Sequence, residues 1–386
     1  MRTRLCKRLQ KAPASLGMIA TRGATPVKLL SSKQNVSLGR IVLKRCLLVT
    51  SFYILLFCIG QLTALHAAAD DGSILQRVQK RGFLVCGTGD KEPGFSIQSE
   101  SGWQGIYIDL CRALAAATLQ NGKAVRFRPL AGASRFAAVA RGEVDVLARG
   151  TALAFSSDTS DGTAFVAPFF YDGTGFLIRK SRQIASALEL SGAQICVVTG
   201  SLAHVSADRF FMARDMNVAV NGSETWSGAV SQFVANECSV LIADVARLAI
   251  ERSQLVKPEQ YTLLPEIASA EMFGPVVSSD DWKWFKIVRW VIYALIKAEE
   301  LGVSKNNIQN LAEKGAKAQQ NFLMAAALST DELGLPPVWL IHTLASVGNY
   351  GEIYERNLGK KSGFNVPRKL NELVKNSGVM MAPAFR

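Results

Sequence analysis

Phe83-Leu84-Val85-Cys86-Gly87 begins, and Val144-Asp145-Val146-Leu147 ends, the stretch whose order decides the fold. The first run is a short apolar strand stopped by glycine. Leu110, Leu114 and Ala117 then recur at helical spacing, Val125–Leu130 reads as a strand, Arg135–Arg141 as a short helix, and the last run as another strand. Ile74–Lys80 adds a helix in front. The order βαβαβ is that of an open parallel sheet with helices on both faces.

The same order returns downstream. Gln194–Val198 reads as a strand, Ala203–Ala213 as a helix, Val218–Val220 as a strand, Thr225–Ala235 as a helix and Ser239–Ile242 as a strand. No residue-level repeat accompanies it, so the recurrence is architectural. Two such units, joined through extended segments near Thr174–Ile178 and Gly274–Val277, predict two lobes with crossovers between them. Lobe 1 then takes residues 70–178 and 275–300, lobe 2 takes 179–274, and 301–386 form a helical C-terminal extension. Trp282, Phe285, Val288, Ile292, Leu295 and Ile296 mark an amphipathic helix ahead of that extension. In sheets of this kind ligands sit beyond the carboxyl ends of the strands, so the cleft between the lobes is the expected site.

The chain has 386 residues, 49% hydrophobic and 19% charged, which fits a folded protein with length for two or three cores. Its formal charge of +13 is unevenly spread. Residues 1–69 hold eleven Lys and Arg and no acid, whereas the other 317 residues hold 33 basic and 31 acidic ones. A nearly neutral body gives no argument for a nucleic-acid partner. In the leader, Arg40, Lys44 and Arg45 precede Leu47–Leu65, nineteen residues without a charge, followed by Ala67-Ala68-Ala69 and Asp70-Asp71. That is the order of a secretory signal peptide cut after Ala69. A retained anchor is the alternative, because such a run is long enough to cross a bilayer.

Cys6, Cys46 and Cys58 go with the leader. The body keeps Cys86, Cys111, Cys196 and Cys238, an even set that favours two disulfides in an oxidising compartment, with three pairings open. None has C-x-x-C spacing, so redox catalysis and zinc have weak support. Gly87-Thr88-Gly89 lacks the third glycine of a dinucleotide fingerprint, and there is no G-x-S-x-G, H-E-x-x-H or P-loop. His204 and His342 read as ordinary imidazoles, and Asp158, Asp161 and Asp172 as loop carboxylates without calcium-loop spacing. No catalytic residue, cofactor or metal is expected. A binder needs less: an arginine fork or a helix N-terminus for a carboxylate, a carboxylate for an ammonium, and an aromatic wall.

Leu84-Val85-Cys86-Gly87, Pro93-Gly94-Phe95-Ser96, Gly105 and Asp109-Leu110-Cys111-Arg112-Ala113 together resemble the start of solute-binding proteins of family 3, the extracytoplasmic receptors of ATP-driven amino-acid importers. Arg135-Phe136, Gly142-Glu143-Val144-Asp145, Tyr171-Asp172-Gly173-Thr174-Gly175-Phe176 and Ser186-Ala187-Leu188-Glu189-Leu190 are similar to the general L-amino-acid-binding branch. Leu264-Pro265-Glu266-Ile267, Ala298-Glu299-Glu300-Leu301-Gly302-Val303 and the run from Val347 to Gly359 carry the resemblance to the C-terminus. It implies a two-lobed α/β fold of the periplasmic-binding-protein type II class, each lobe a parallel-type sheet flanked by helices. It further implies a monomeric periplasmic receptor that closes on a small polar solute, an amino acid foremost, and serves an inner-membrane ABC permease. The disulfides it implies are Cys86–Cys111 and Cys196–Cys238.

Carried over residue by residue, the resemblance places Phe95 at an aromatic position that can line the ligand and Asp244 where a carboxylate holds the α-ammonium. Gly200-Ser201 matches the turn that meets the α-carboxylate, followed by Leu202 where the branch usually has Thr. Thr151 matches a lobe-1 binding loop, with Ala152 where a hydroxyl is usual. The arginine expected before Asp158 is replaced by Ser157, and Arg149 and Lys91 are the candidates to substitute for it. Two other readings stand beside this one: a dehydratase-like periplasmic enzyme on the same fold, and a degenerate non-binding or sensory relative.

Overall fold

A computed structural model describes residues 72–130, 132, 134–159, 162–328 and 330–386. The leader with its signal-peptide and anchor readings, Cys6, Cys46, Cys58, Asp161 and the Ser157 side chain lie outside the described residues.

The body starts at α1 (Ile74–Arg81), where Ser73 and Gln76 close a capping box and Gly82, at φ +75°, turns the chain out of the helix. Then come β1 (Leu84–Thr88), a ribbon of β2 (Lys91–Glu92), β3 (Ser96–Ser99) and β4 (Gly102–Gln104), and α2 (Ile106–Leu119). β5 (Val125–Pro129), α3 (Ser134–Ala140), β6 (Val146–Ala152), α4 (Phe155–Asp158), β7 (Thr163–Phe165) and β8 (Phe170–Asp172) follow. The second unit holds β9 (Thr174–Arg179), β10 (Gln194–Val198), α5 (Leu202–Met212), β11 (Ala219–Ser223), α6 (Trp226–Val234), β12 (Val240–Asp244), α7 (Val245–Gln254) and β13 (Tyr261–Leu263). β14 (Glu271–Ser278) and α8 (Trp282–Glu300) return to the first unit, ahead of α9 (Ile308–Lys314), α10 (Lys317–Leu328), α11 (Thr330–Leu333), α12 (Trp339–Val347) and α13 (Tyr350–Asn357).

The first sheet runs β5-β1-β6-β14-β7, with β8 also on β14; the second runs β11-β10-β12-β9-β13. In each, the βαβαβ order read from the sequence supplies three parallel strands, and the next strand runs antiparallel to them. That antiparallel strand is the one arriving from the other lobe, and it moves the expected boundaries. β9 pairs with β12 from Asp244↔Thr174 to Val240↔Ile178, so residues 174–178 belong to the second sheet rather than the first. β14 pairs with β6 at Phe273↔Ala152 and Gly274↔Thr151, so residues 271–274 belong to the first. The crossings therefore lie near Gly173 and Ala270. The fully apolar pattern of a central strand says that it is buried, not in which sheet.

The C-terminal helices share the core of the first lobe. Leu340, Leu344, Tyr350 and Tyr354 lie in one buried cluster with Leu110 and Leu114 of α2 and Ile292 of α8. α2 is buried on almost every face because the sheet covers one side and α12 the other. Polar ties fix the packing: Arg356 Nε and Asn357 Nδ2 each donate to Asp109 Oδ2 at 2.7 Å. Asn371 grips the backbone of β8 from both sides, accepting from Tyr171 N at 2.7 Å and donating to Tyr171 O at 2.8 Å. Disulfides join Cys86 of β1 to Cys111 of α2, and Cys196 of β10 to Cys238 just ahead of β12. Each stays within one lobe.

Candidate functional site

β6 and β12 point their carboxyl ends at a cleft of about 410 Å³. From the first lobe it is walled by Lys91, Glu92 and Phe95 of the ribbon region, Tyr107 of α2, Arg135 of α3, and Arg149 and Gly150 of β6. Phe170 and Asp172 of β8 and Phe273 of β14 form its back. The second lobe contributes Trp226 at the start of α6, Asp244 at the end of β12, and Arg247, Ile250, Glu251 and Gln254 along α7.

The aromatic floor is held by ring contacts. Phe95 stacks on Tyr107 with centroids 6.0 Å apart and meets the edge of Phe170 at 5.2 Å. The Tyr107 hydroxyl is buried without a hydrogen-bond partner among the described residues. Burial, then the acids Glu92, Asp172 and Asp244, push its ionisation well above the ordinary phenol value, so it stays a neutral donor.

Four cations and several acids converge here, and they differ in how free they are. Arg149 is engaged: Nη2 and Nε donate to Glu92 Oε1 at 2.7 and 3.2 Å, and Nη1 donates to the Leu130 carbonyl. Arg135 is less occupied. Its Nη1 donates to Gly132 O at 3.0 Å, but its buried Nε has no partner among the described residues. Burial and the neighbouring Arg149 lower its affinity for the proton from the ordinary guanidinium value. Arg247 lies 4.7 Å over the Trp226 ring, whose Nε1 donates to Glu251 Oε2 at 2.9 Å.

The acidic side is Asp244, backed by Asp172 and Glu271. Burial, then Glu271, push the Asp244 carboxyl up to about 6. Asp172 is raised well above the carboxylate range, by burial first and Asp244 second. Two carboxyls this close do not both ionise easily without a cation between them.

Of the residues proposed from sequence, the structure brings Phe95, Arg149 and Asp244, with Lys91, to one cleft. Thr151 sits next to the lining residue Gly150 but is buried, with its Oγ1 unpartnered among the described residues. Ser157 lies in the short α4, none of whose described side chains lines the cleft. Gly200, Ser201 and Leu202 stand at the start of α5, where Ser201 Oγ caps the helix by accepting from His204 N at 3.1 Å; Leu202 points to solvent, and none of the three lines the cleft. Asp172, read from sequence as a loop carboxylate, is instead a half-buried wall residue at the end of β8. The sequence reading missed Arg135, Trp226 and Arg247. Arg135 carries a signal of its own, an Arg-Phe pair at a helix start.

Residues 84–325 match the bacterial extracellular solute-binding proteins, family 3. The glutamate/glutamine/aspartate/asparagine-binding protein of Rhodobacter capsulatus is 38% identical over 330 residues, covering 84% of this chain and 97% of the relative. The general L-amino acid-binding periplasmic protein of Rhizobium johnstonii is 36% identical over 327 residues, covering 84% and 96%. Among solved structures, a periplasmic binding protein from Brucella ovis with glutathione bound is 35% identical, with a TM-score of 0.75 over 82% of this chain and 100% of that one. With two crossed lobes, a charged cleft between them and relatives matched along nearly their whole length, the chain belongs to the bacterial extracellular solute-binding proteins of family 3.

Proposed function

We propose that the cleft takes a small solute that carries an ammonium group next to a carboxylate, and that the protein delivers it from the periplasm to an inner-membrane ABC permease. The observation that carries this reading is the convergence of Asp244, a carboxylate that makes no cap bond to its own helix, with the guanidiniums of Arg135 in the other lobe and Arg247 on the same wall. An α-ammonium meets the acid, a carboxylate meets a guanidinium, and Phe95, Tyr107 and Trp226 cover the aliphatic part. Arg149 in this reading holds Glu92 rather than the ligand. Amino acids share the ammonium–carboxylate head with the γ-glutamyl end of glutathione, so the relatives' names and the cleft's charges point to one chemistry. The leader reading supports export and cleavage after Ala69.

A thermal-shift screen of the body with L-glutamate, L-glutamine and glutathione tests the reading. Binding to the folded state alone raises stability by about 2.7 kcal/mol at a hundredfold excess over Kd. A second reading, an enzyme on this fold, draws on the raised carboxyls of Asp172 and Asp244, which suit proton transfer. Recovery of each bound solute unchanged after prolonged incubation sets it aside; conversion supports it.

A further inference from the structure

We propose that Asp172 is a positioning residue: by capping α7 across the crossing between the lobes, it keeps the Asp244 carboxylate off its own helix and in the cleft. This rests on the reading of Asp244 as the ammonium partner. Asp244 stands at the N-cap of α7, the position where an aspartate ordinarily accepts from the second or third backbone N–H of the helix. Here it makes no such bond. The N–H of Ala246 instead donates to the Asp172 carboxylate, at 3.1 Å to Oδ2 and 3.4 Å to Oδ1, and Val245 N donates to Gly173 O at 2.9 Å. The first two N–H groups of a second-lobe helix are thus satisfied by the last residue of β8 and the glycine after it.

The crossing is built to allow this. A Cβ on Gly173 would lie 1.9 Å from the Ser269 carbonyl oxygen, so only glycine lets the two crossing strands approach there. Asp172 Oδ1 also accepts from Gly173 N at 2.9 Å, which fixes the carboxyl's direction. Without Asp172, the Ala246 N–H would be left without a partner, and the nearest remedy is a rotation of Asp244 into its own N-cap. The helix would be repaired and the cleft would lose its acid.

Calorimetry with L-glutamate, L-glutamine or glutathione, whichever the parent binds most tightly, tests the idea. Asp172→Ala is expected to weaken binding at least tenfold. Asp172→Asn keeps an acceptor for Ala246 N–H and should restore affinity to within threefold of the parent. In an Asp244→Asn background, Asp172→Ala should cost less than a further twofold, because both changes remove the same interaction. If Asp172→Ala does not fold, Asp172→Asn alone decides: an Asn variant more than tenfold weaker means that Asp172 acts as a charge on the ligand, which overturns the proposal. Additive losses in the double variant, or an Asp172→Ala protein that binds like the parent, overturn it too. An Asp244→Asn protein that binds as well as the parent removes the underlying reading of Asp244 instead.

Discussion

Glu92 and Arg149 face each other across the first lobe's side of the cleft, with Arg149 Nη2 2.7 Å from Glu92 Oε1. Both side chains are about three-quarters buried, at 23% and 27% exposure, so the pair is shielded from full solvent screening. The guanidinium that sequence position alone would offer to a ligand is therefore already spoken for. Glu92→Gln should release it, and L-glutamate should then bind about tenfold tighter, or roughly 1.4 kcal/mol, while L-glutamine changes little. Titration calorimetry of the two ligands side by side reads the difference.

Arg135 is the freer anchor. Arg135→Met should weaken any carboxylate ligand by ten- to a hundredfold, the loss of a charge-assisted hydrogen bond of about 1.5–3 kcal/mol. Besides its contact with the Phe136 ring, its guanidinium has a single hydrogen bond to lose among the described residues, to Gly132 O at 3.0 Å, so the melting temperature of the empty protein should fall only slightly. A variant that binds normally but melts early would make Arg135 a structural residue.

The Asp244 carboxyl, raised to about 6, sets a pH window. An ammonium ligand needs it ionised, so affinity should be full above pH 7 and fall as the pH drops through 6. Empty-protein stability runs the other way. A carboxyl with a higher pKa folded than unfolded binds its proton more tightly in the folded state, so stability is gained as pH falls from 6 toward 4. Asp244→Asn should remove that slope and stabilise the empty protein at pH 7–8 by on the order of 2 kcal/mol, read from urea unfolding at several pH values.

The two disulfides close loops with sequence separations of 25 and 42 residues. Replacing either pair by alanine should cost about 2–4 kcal/mol. Non-reducing peptide mapping should find both bonds inside their own lobes; a Cys86–Cys196 peptide would refute the lobe assignment.

The repeated βαβαβ order was legible because each strand and helix announces itself locally, through apolar runs and periodicity. Phe95 and Asp244 were legible only through motif resemblance, which ties a residue's role to its neighbours in the chain. What the sequence concealed depends on the crossing of the lobes. Residues 174–178 form a uniformly buried strand that would suit either sheet, and only pairing with β12 and β13 assigns it. Asp172 and Ala246 are 74 residues apart, so nothing near Asp172 signals that it caps a helix. Arg247 lies at an ordinary surface position on an amphipathic helix, and its place over Trp226 comes from the packing of α6 beside α7.

The proposed role of Asp244, holding the ammonium of a bound amino-acid-like solute, is decided by calorimetry at pH 8, comparing parent and Asp244→Asn with L-glutamate and with glutarate, which lacks the ammonium. The expected result is a ten- to hundredfold loss for L-glutamate in the variant and no loss for glutarate, equivalent to about 1.4–2.7 kcal/mol carried by one charge pair. Equal binding of L-glutamate by the two proteins, or no binding by either, would contradict it.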